Sequence, residues 1–526
     1  MRELVFSEMT LEQKLGFVCV VALFNNSSKE DEEYALELIR NRSLGAIWIQ
    51  WDEKNAAFLS ERLARIRATA DYPILIMTDS ESGMDEYKIG HHNALARVGT
   101  EERAYLFGKA LGVTARNHGY NTVCCPLLDV YENGSSRSFG SDKHRVAKLA
   151  AAEARGMHCA GLLTVGKHYP SSKTDIDIDA HMVEGVSSQT KEELLAQSLY
   201  PYLALMKEDL LDGIMVSHDV LCKIDPSRPA CISKPVVDVI REQGFDGFHV
   251  TDALCMMGVR ARFGRVDPMG MAVEAGNDLA MMYAKGIKEQ HEAVRDCYER
   301  GILSDNALNA AVNRILKAQH KVLLYENDRC TSITEEEDRL VRDIDSDGVC
   351  ACLDDGLPLS ISREGRHYFA VMVNNETSVD KGEVAVDTFS GHWHNPAKIS
   401  EKIKELFPNA TLQFFHQFPT QQQCYAVLNN SLGYDEVVLV TYSEFVAYTG
   451  MEHFTHRVVS LAEAMQHTNR ISTLVHFGNQ VIVGELPHFP RRILAGTSAK
   501  STMAGIEVLA GEREAKGCFT YKVSYR

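Results

Sequence analysis

The sequence predicts an α/β protein: a (β/α)8 TIM-like barrel followed by a smaller α/β/α sandwich domain. Three observations carry that prediction. Short apolar runs alternate with long amphipathic stretches, the first part of the chain holds eight such runs, and most of these runs end in a polar residue. The eight runs are "LGFVCVVALF" (15–24), "GAIWIQW" (45–51), "PILIMTD" (73–79), "NTVCCPLLDV" (121–130), "GLLTVGKHY" (161–169), "DGIMVSHDV" (212–220), "DGFHVTDAL" (246–254) and "NDLAMMY" (277–283). Successive rather than alternating apolar residues are the pattern of a strand buried on both faces. Helical patterns such as "EKNAAFLSERLARIRATA" (53–70) and "DKHRVAKLAAAEARGMHCA" (142–160) lie between them. Strand–helix alternation implies parallel pairing through right-handed crossovers, and eight repeats fit a closed barrel. An open doubly wound sheet is the alternative.

Residues 1–300 are therefore expected to form the barrel, 301–360 a helical connection that includes the amphipathic "LSDNALNAAVNRILKAQHKVLL", and 361–526 the sandwich domain. In the last, "HYFAVMVN" (367–374), "ATLQFF" (410–415), "EVVLVTYS" (436–443), "STLVHF" (472–477) and "RRILAG" (491–496) read as strands. "KISEKIKELF" and "HRVVSLAEAMQH" read as intervening helices.

Composition narrows the function. With 55 Lys and Arg against 72 Asp and Glu, the net charge of −17 argues against nucleic acid or an anionic membrane as partner. No window reaches the roughly 18 consecutive apolar residues of a membrane span. The opening residues lack the basic and apolar regions of a signal peptide. The 13 cysteines are scattered without zinc-ligand spacing and read as reduced thiols, so a cytoplasmic protein is expected. No phosphate-binding loop or HExxH-type metal motif occurs, and neither cofactor nor metal is expected.

A barrel gathers its functional groups at the C-terminal ends of its strands. Asp79 closes the third run, Asp129 the fourth, Lys167 and His168 the fifth, His218 the sixth and Asp252 the seventh. One carboxylate at such a place can serve as a helix cap. A rim of carboxylates, cations and histidines suits a polyhydroxylated ligand.

The ordered motifs "LEQKLG", "GAIWIQ", "PILIMTDSESG", "PLLDV", "RSFGSD", "KHYP", "DGIMVSH", "GFDGFHVTDALCMMGV" and "AVEAGNDLAMM" resemble glycoside hydrolase family 3, in its β-N-acetylhexosaminidase branch. The C-terminal "LVHFGNQVIVGELPHFPRRILAG" and "GIEVLAGEREAKGCFTYKV" are similar to the family's α/β/α domain. The resemblance implies a retaining β-glycosidase acting on small soluble glycosides, with Asp252 as the nucleophile that forms a glycosyl-enzyme. It also implies that Asp79 grips the hydroxyls of the nonreducing sugar, with Arg137, Lys167 and His168 as donors and His218 on the rim. A salt bridge from Arg137 to Asp129 is the purely structural alternative.

The pattern breaks after "KHYP". The resemblance implies a Gly-His-Gly-Asp loop there, with a His–Asp dyad as general acid/base. This chain has Ser171, Ser172, Lys173, Thr174 and Asp175, with one residue more before His181. Losing both glycines is expected to hinder positive φ. Met84 is a further departure, in "SGMD" where a second glycine and an arginine are usual. Asp175 is the expected acid, with Asp177 or Glu444 as alternatives; Asp177 and Asp179 otherwise read as solvated loop charges. If the acid is absent, the chain is a slow enzyme or a sugar-binding protein, and β-glucosidase or glycoside phosphorylase activity stays open. The oligomeric state is not legible.

Overall fold

A computed structural model of the chain describes residues 1–131, 137–171, 173–174, 181–263, 267–282, 286–326, 329–373, 377–380, 383–386, 396–443, 453–468 and 472–521. Asp175, Asp177, Asp179 and Glu444 lie outside the described residues. The chain forms two compact units: residues 1–88, 104–130 and 142–341 make the first, and residues 89–103, 131–141 and 342–526 the second.

All eight predicted barrel strands are present: β1 Cys19–Leu23, β2 Ala46–Ile49, β3 Leu75–Thr78, β4 Thr122–Val123, β5 Leu163–Tyr169, β6 Gly213–Val216, β7 Phe248–Thr251 and β8 Ala280–Met281. They pair in parallel in the order β8-β1-β2-β3-β4-β5-β6-β7. A bridge between Val250 and Leu279 closes the ring, so the barrel and not the open sheet forms. Nearly every strand residue is buried, as a sheet covered on both faces requires.

The strands are shorter than the apolar runs for local reasons. "LGF" of the first run ends a helix, Leu11–Phe17, because Thr10 and Gln13 form a reciprocal capping box that starts it. The fourth run pairs over only two residues before Pro126, which has no N–H to give a ladder. Its pairing resumes at Leu127, which bridges Lys167.

After the barrel the helix Asp305–Tyr325 starts on a Ser304 cap. Cys330, beyond it, forms a disulfide with Cys159, at the end of the helix Lys143–Cys159. The expectation of thiols throughout fails at this pair. A separation of 171 residues gave no spacing signal, and the fold brings the two Cα atoms to 5.6 Å. The other cysteines carry free thiols. No helix among the described residues is long and apolar enough to cross a membrane.

The second unit holds a six-stranded sheet. Its strands are β9 Cys350–Leu353, β10 His367–Val373, β11 Thr411–His416, β12 Glu436–Tyr442, β13 Thr473–Phe477 and β14 Arg491–Ala495, in the order β9-β14-β13-β12-β10-β11. The five predicted strands run parallel; β9, which was not predicted, is antiparallel to β14. Helix Pro396–Leu406 packs with Ala499–Ala510, and Gln421–Asn430 with His456–His467, giving the helical layers of a doubly wound domain.

Residues 89–103 and 131–141 are held in this unit by buried polar bonds. Arg97, almost fully buried, donates from Nε to Gly348 O at 2.8 Å and from Nη1 to Asn93 Oδ1 at 3.1 Å. Asn93 in turn donates to Ser138 O at 3.2 Å and to Thr520 Oγ1 at 3.1 Å.

Three fully buried histidines are kept neutral. Burial lowers the basicity of His218 and strongly lowers that of His249, and it pushes His476 down to about 3. In the unfolded chain these groups take up protons below about pH 6.5, the ordinary histidine value, whereas the folded protein refuses them. Stability is therefore fully present above that pH and is lost as the pH falls. The thermal unfolding midpoint is expected to drop steadily between about pH 7.5 and 5.5, with net proton uptake on unfolding. A flat profile across that window would contradict the neutral assignment.

Candidate active site

Five of the expected site residues come together at the C-terminal ends of the barrel strands. Lys167, in β5, is fully buried and forms ion pairs with Asp79, just after β3, and with Glu81 at 2.7 Å. Asp79 is further held by Gln50, which donates from Nε2 to its carbonyl at 2.9 Å. Cys124, buried beside them, feels the charges of Asp79, Lys167, Asp252 and Glu81, although desolvation is the main cause of its raised pKa. These four charged groups therefore share one neighbourhood.

Next to Lys167, His168 is oriented by Asp129. The carboxylate accepts from its backbone N–H at 3.0 Å and pairs with Nδ1 at 2.8 Å. Asp129 also accepts from Ser171 Oγ at 2.9 Å. Ser171, which stands where the resemblance implied a glycine, holds φ at +54°. The left-handed turn survives without the glycine because Ser171 N–H donates to His168 O at 2.7 Å and its hydroxyl is tied to Asp129. Met84 is fully buried, and Gly83 before it keeps a φ of +90°.

His218 is buried, and both ring nitrogens have partners. Nε2 lies 3.1 Å from Ala253 O. A carbonyl only accepts, so Nε2 carries the proton, and Nδ1 accepts from the Cys231 thiol at 3.2 Å. Burial pushes the Cys231 thiol pKa up, which keeps it a donor.

Asp252 follows β7, and its backbone N–H donates to Val216 O at 2.8 Å. Its carboxylate accepts from Ala253 N–H at 2.7 Å. Desolvation alone would raise its pKa. His218, His168, the Ala253 N–H and His181 together outweigh that and hold the carboxyl below its usual range. Asp252 is thus ionised at neutral pH.

Of the remaining expected residues, Arg137 belongs to the second unit and is half-buried there. Asp175 lies outside the described residues. Three contributors went unnoticed in the sequence: Glu81, Cys231 and His181. Glu81 was legible only as the second acid in "TDSES". His181 sat at the end of the polar stretch 167–181, and its carbonyl accepts from Met257 N–H at 3.2 Å, just past Asp252.

The family model described as the glycosyl hydrolase family 3 N terminal domain matches residues 10–318. The chain belongs to glycosyl hydrolase family 3, a family of glycoside hydrolases. Among curated relatives, a beta-hexosaminidase of Tolumonas auensis is 29% identical over 260 residues, which is 47% of this chain and 77% of the relative. A beta-N-acetylglucosaminidase/beta-glucosidase of Cellulomonas fimi is 25% identical over 341 residues, covering 61% of this chain; the match spans only 59% of the relative's length. The solved family 3 beta-N-acetylglucosaminidase of a Paenibacillus strain superposes with a TM-score of 0.79 at 21% identity, over 98% of this chain and all of that one. That likeness shows the fold.

The buried Lys167 makes the rim sensitive to loss of its counter-charges. Asp79→Asn and Glu81→Gln together remove two of the carboxylates that answer this buried ammonium, and breaking a buried pair typically costs about 3–5 kcal/mol. Urea unfolding of the single and double variants is expected to show a double loss greater than the sum of the singles, since each carboxylate covers for the other. Simple additivity would mean that the pairs do not share the lysine's charge.

Proposed function

We propose that the chain is an exo-acting retaining β-glycosidase, β-N-acetylglucosaminidase-like, acting on small soluble β-glycosides. The observation that carries this reading is the Asp252 carboxylate, held ionised at the C-terminal end of β7 and accepting from the Ala253 N–H at 2.7 Å. In the first step the carboxylate attacks the anomeric carbon while the bond to the aglycone oxygen breaks and that oxygen takes a proton. In the second step water attacks the glycosyl-enzyme and gives up its proton, and the sugar leaves with its β configuration. Asp79 has the two acceptor oxygens needed for adjacent sugar hydroxyls. Lys167 and His168 act as donors beside it, and Arg137 is proposed as a further donor from the sequence pattern. His218 acts through Asp252 rather than on the sugar, because both its nitrogens are used within the protein.

The proton comes from the segment 175–181. Asp175 is the donor expected from sequence. His181 is a second candidate, favoured by its position close to Asp252. General acid assistance is typically worth about 10²–10⁴-fold, so the two are separable by kinetics.

A panel of chromogenic β-glycosides tests the reading. The wild type is expected to cleave N-acetylglucosaminides, and Asp252→Asn to lose turnover by several orders of magnitude. Asp175→Asn and His181→Gln are compared on substrates with good and poor leaving groups. The variant that loses rate only with poor leaving groups identifies the acid. Cleavage of glucosides alone would overturn the acetamido preference, and phosphate-dependent turnover would mark a phosphorylase. Tight sugar binding without turnover would mark a sugar-binding protein.

A further inference from the structure

The second unit ends on an unusual edge. Strand β11 is the last in its sheet and pairs only with β10 among the described residues. Exposed edge strands are templates for further pairing, and proteins commonly guard them with lysine, proline, bulges or short length. β11 has none of these guards: its six residues read Thr-Leu-Gln-Phe-Phe-His. Phe414 points out of it with 42% of its surface exposed.

The surroundings extend this surface. Phe418, 56% exposed, lies at the end of the strand with its ring 6.0 Å from that of His416. Helix Gln421–Asn430 packs beside β11, and Asn430 Nδ2 reaches Gln413 Oε1 at 3.4 Å. That helix carries Tyr425, also 56% exposed, and Leu432, 59% exposed, follows it. Exposed apolar side chains gathered around an open strand edge suit an interaction surface.

Charge identifies the partner. The chain is 24% charged and carries a net −17, yet no Asp, Glu, Lys or Arg occurs from Ala410 to Tyr434. Two copies of so acidic a protein repel each other over most of their surfaces. Here they would meet over a stretch that contributes no charge of its own. A strand that pairs antiparallel with itself about a two-fold axis supplies its own complementary surface. We propose that β11 is the two-fold interface of a homodimer, pairing edge to edge with β11 of a second copy, with Phe414, Phe418 and Tyr425 packing across it.

Sedimentation equilibrium of the purified full chain over a wide concentration range tests this. The wild type is expected to show a monomer–dimer equilibrium. Phe414→Lys, which places a cation on both sides of the axis, is expected to weaken the dimer at least tenfold, about 1.4 kcal/mol. Phe418→Glu serves as an independent variant, and at dilutions where the chain is monomeric both are expected to keep the wild-type thermal unfolding midpoint because the side chains are exposed. Hydrogen exchange supplies a second measurement: the β11 amides should be protected in the dimer and lose that protection on dilution. A wild type that stays monomeric at every concentration overturns the proposal. So does a dimer that neither variant weakens, or one in which β11 exchanges as fast as in the monomer.

Discussion

A lysine ammonium with no access to water must have its charge answered by the protein. Lys167 is such a group, and Asp79 and Glu81 answer it, which ties the end of β3 to β5. Similar ties follow around the rim. Asp129 joins the segment after β4 to His168 and Ser171, and His218 joins the segment after β6 to the one after β7 through Ala253. Each polar group is fixed by a neighbour from another strand, so the geometry of the site follows from the requirement that buried polar groups be paired.

The same pairing separates the roles of the carboxylates. Asp79 and Glu81 share a buried cation, an arrangement suited to holding a neutral ligand by hydrogen bonds. Asp252 has histidines around it and one backbone donor, with no lysine or arginine among the groups that act most on its charge. Its carboxylate therefore stays ionised with no lysine or arginine ion pair among the described residues. Two acids on one rim thus acquire different chemistry from their surroundings alone.

Much of this was legible in the sequence because burial on both faces leaves a continuous apolar run wherever a barrel strand lies. The eight barrel strands and the five parallel strands of the second unit were found that way, and the helix His456–His467 matched its pattern. Strand ends were less legible, since they depend on local caps such as Thr10 and on Pro126. Long-range pairing was not legible at all. Nothing near Cys159 announces Cys330, nothing near Glu81 announces Lys167, and a strand as short as Cys350–Leu353 leaves too brief a pattern. The site residues on strand ends were picked out by position. Cys231 and His181 were missed because their part depends on which segments the fold brings beside Asp252 and His218.

The second unit is discontinuous in sequence, and this bears on the order in which the protein can be made. Arg97 leaves the ribosome 251 residues ahead of Gly348, the carbonyl that receives its Nε proton. Until residues 342–526 are synthesised, the segments 89–103 and 131–141 have no unit to join, while most of the barrel has already emerged. Domains that fold as they emerge do so from the N-terminus onward. This chain must therefore keep an arginine destined for burial, with its flanking residues, waiting until well after residue 341, where the first unit's sequence is already complete.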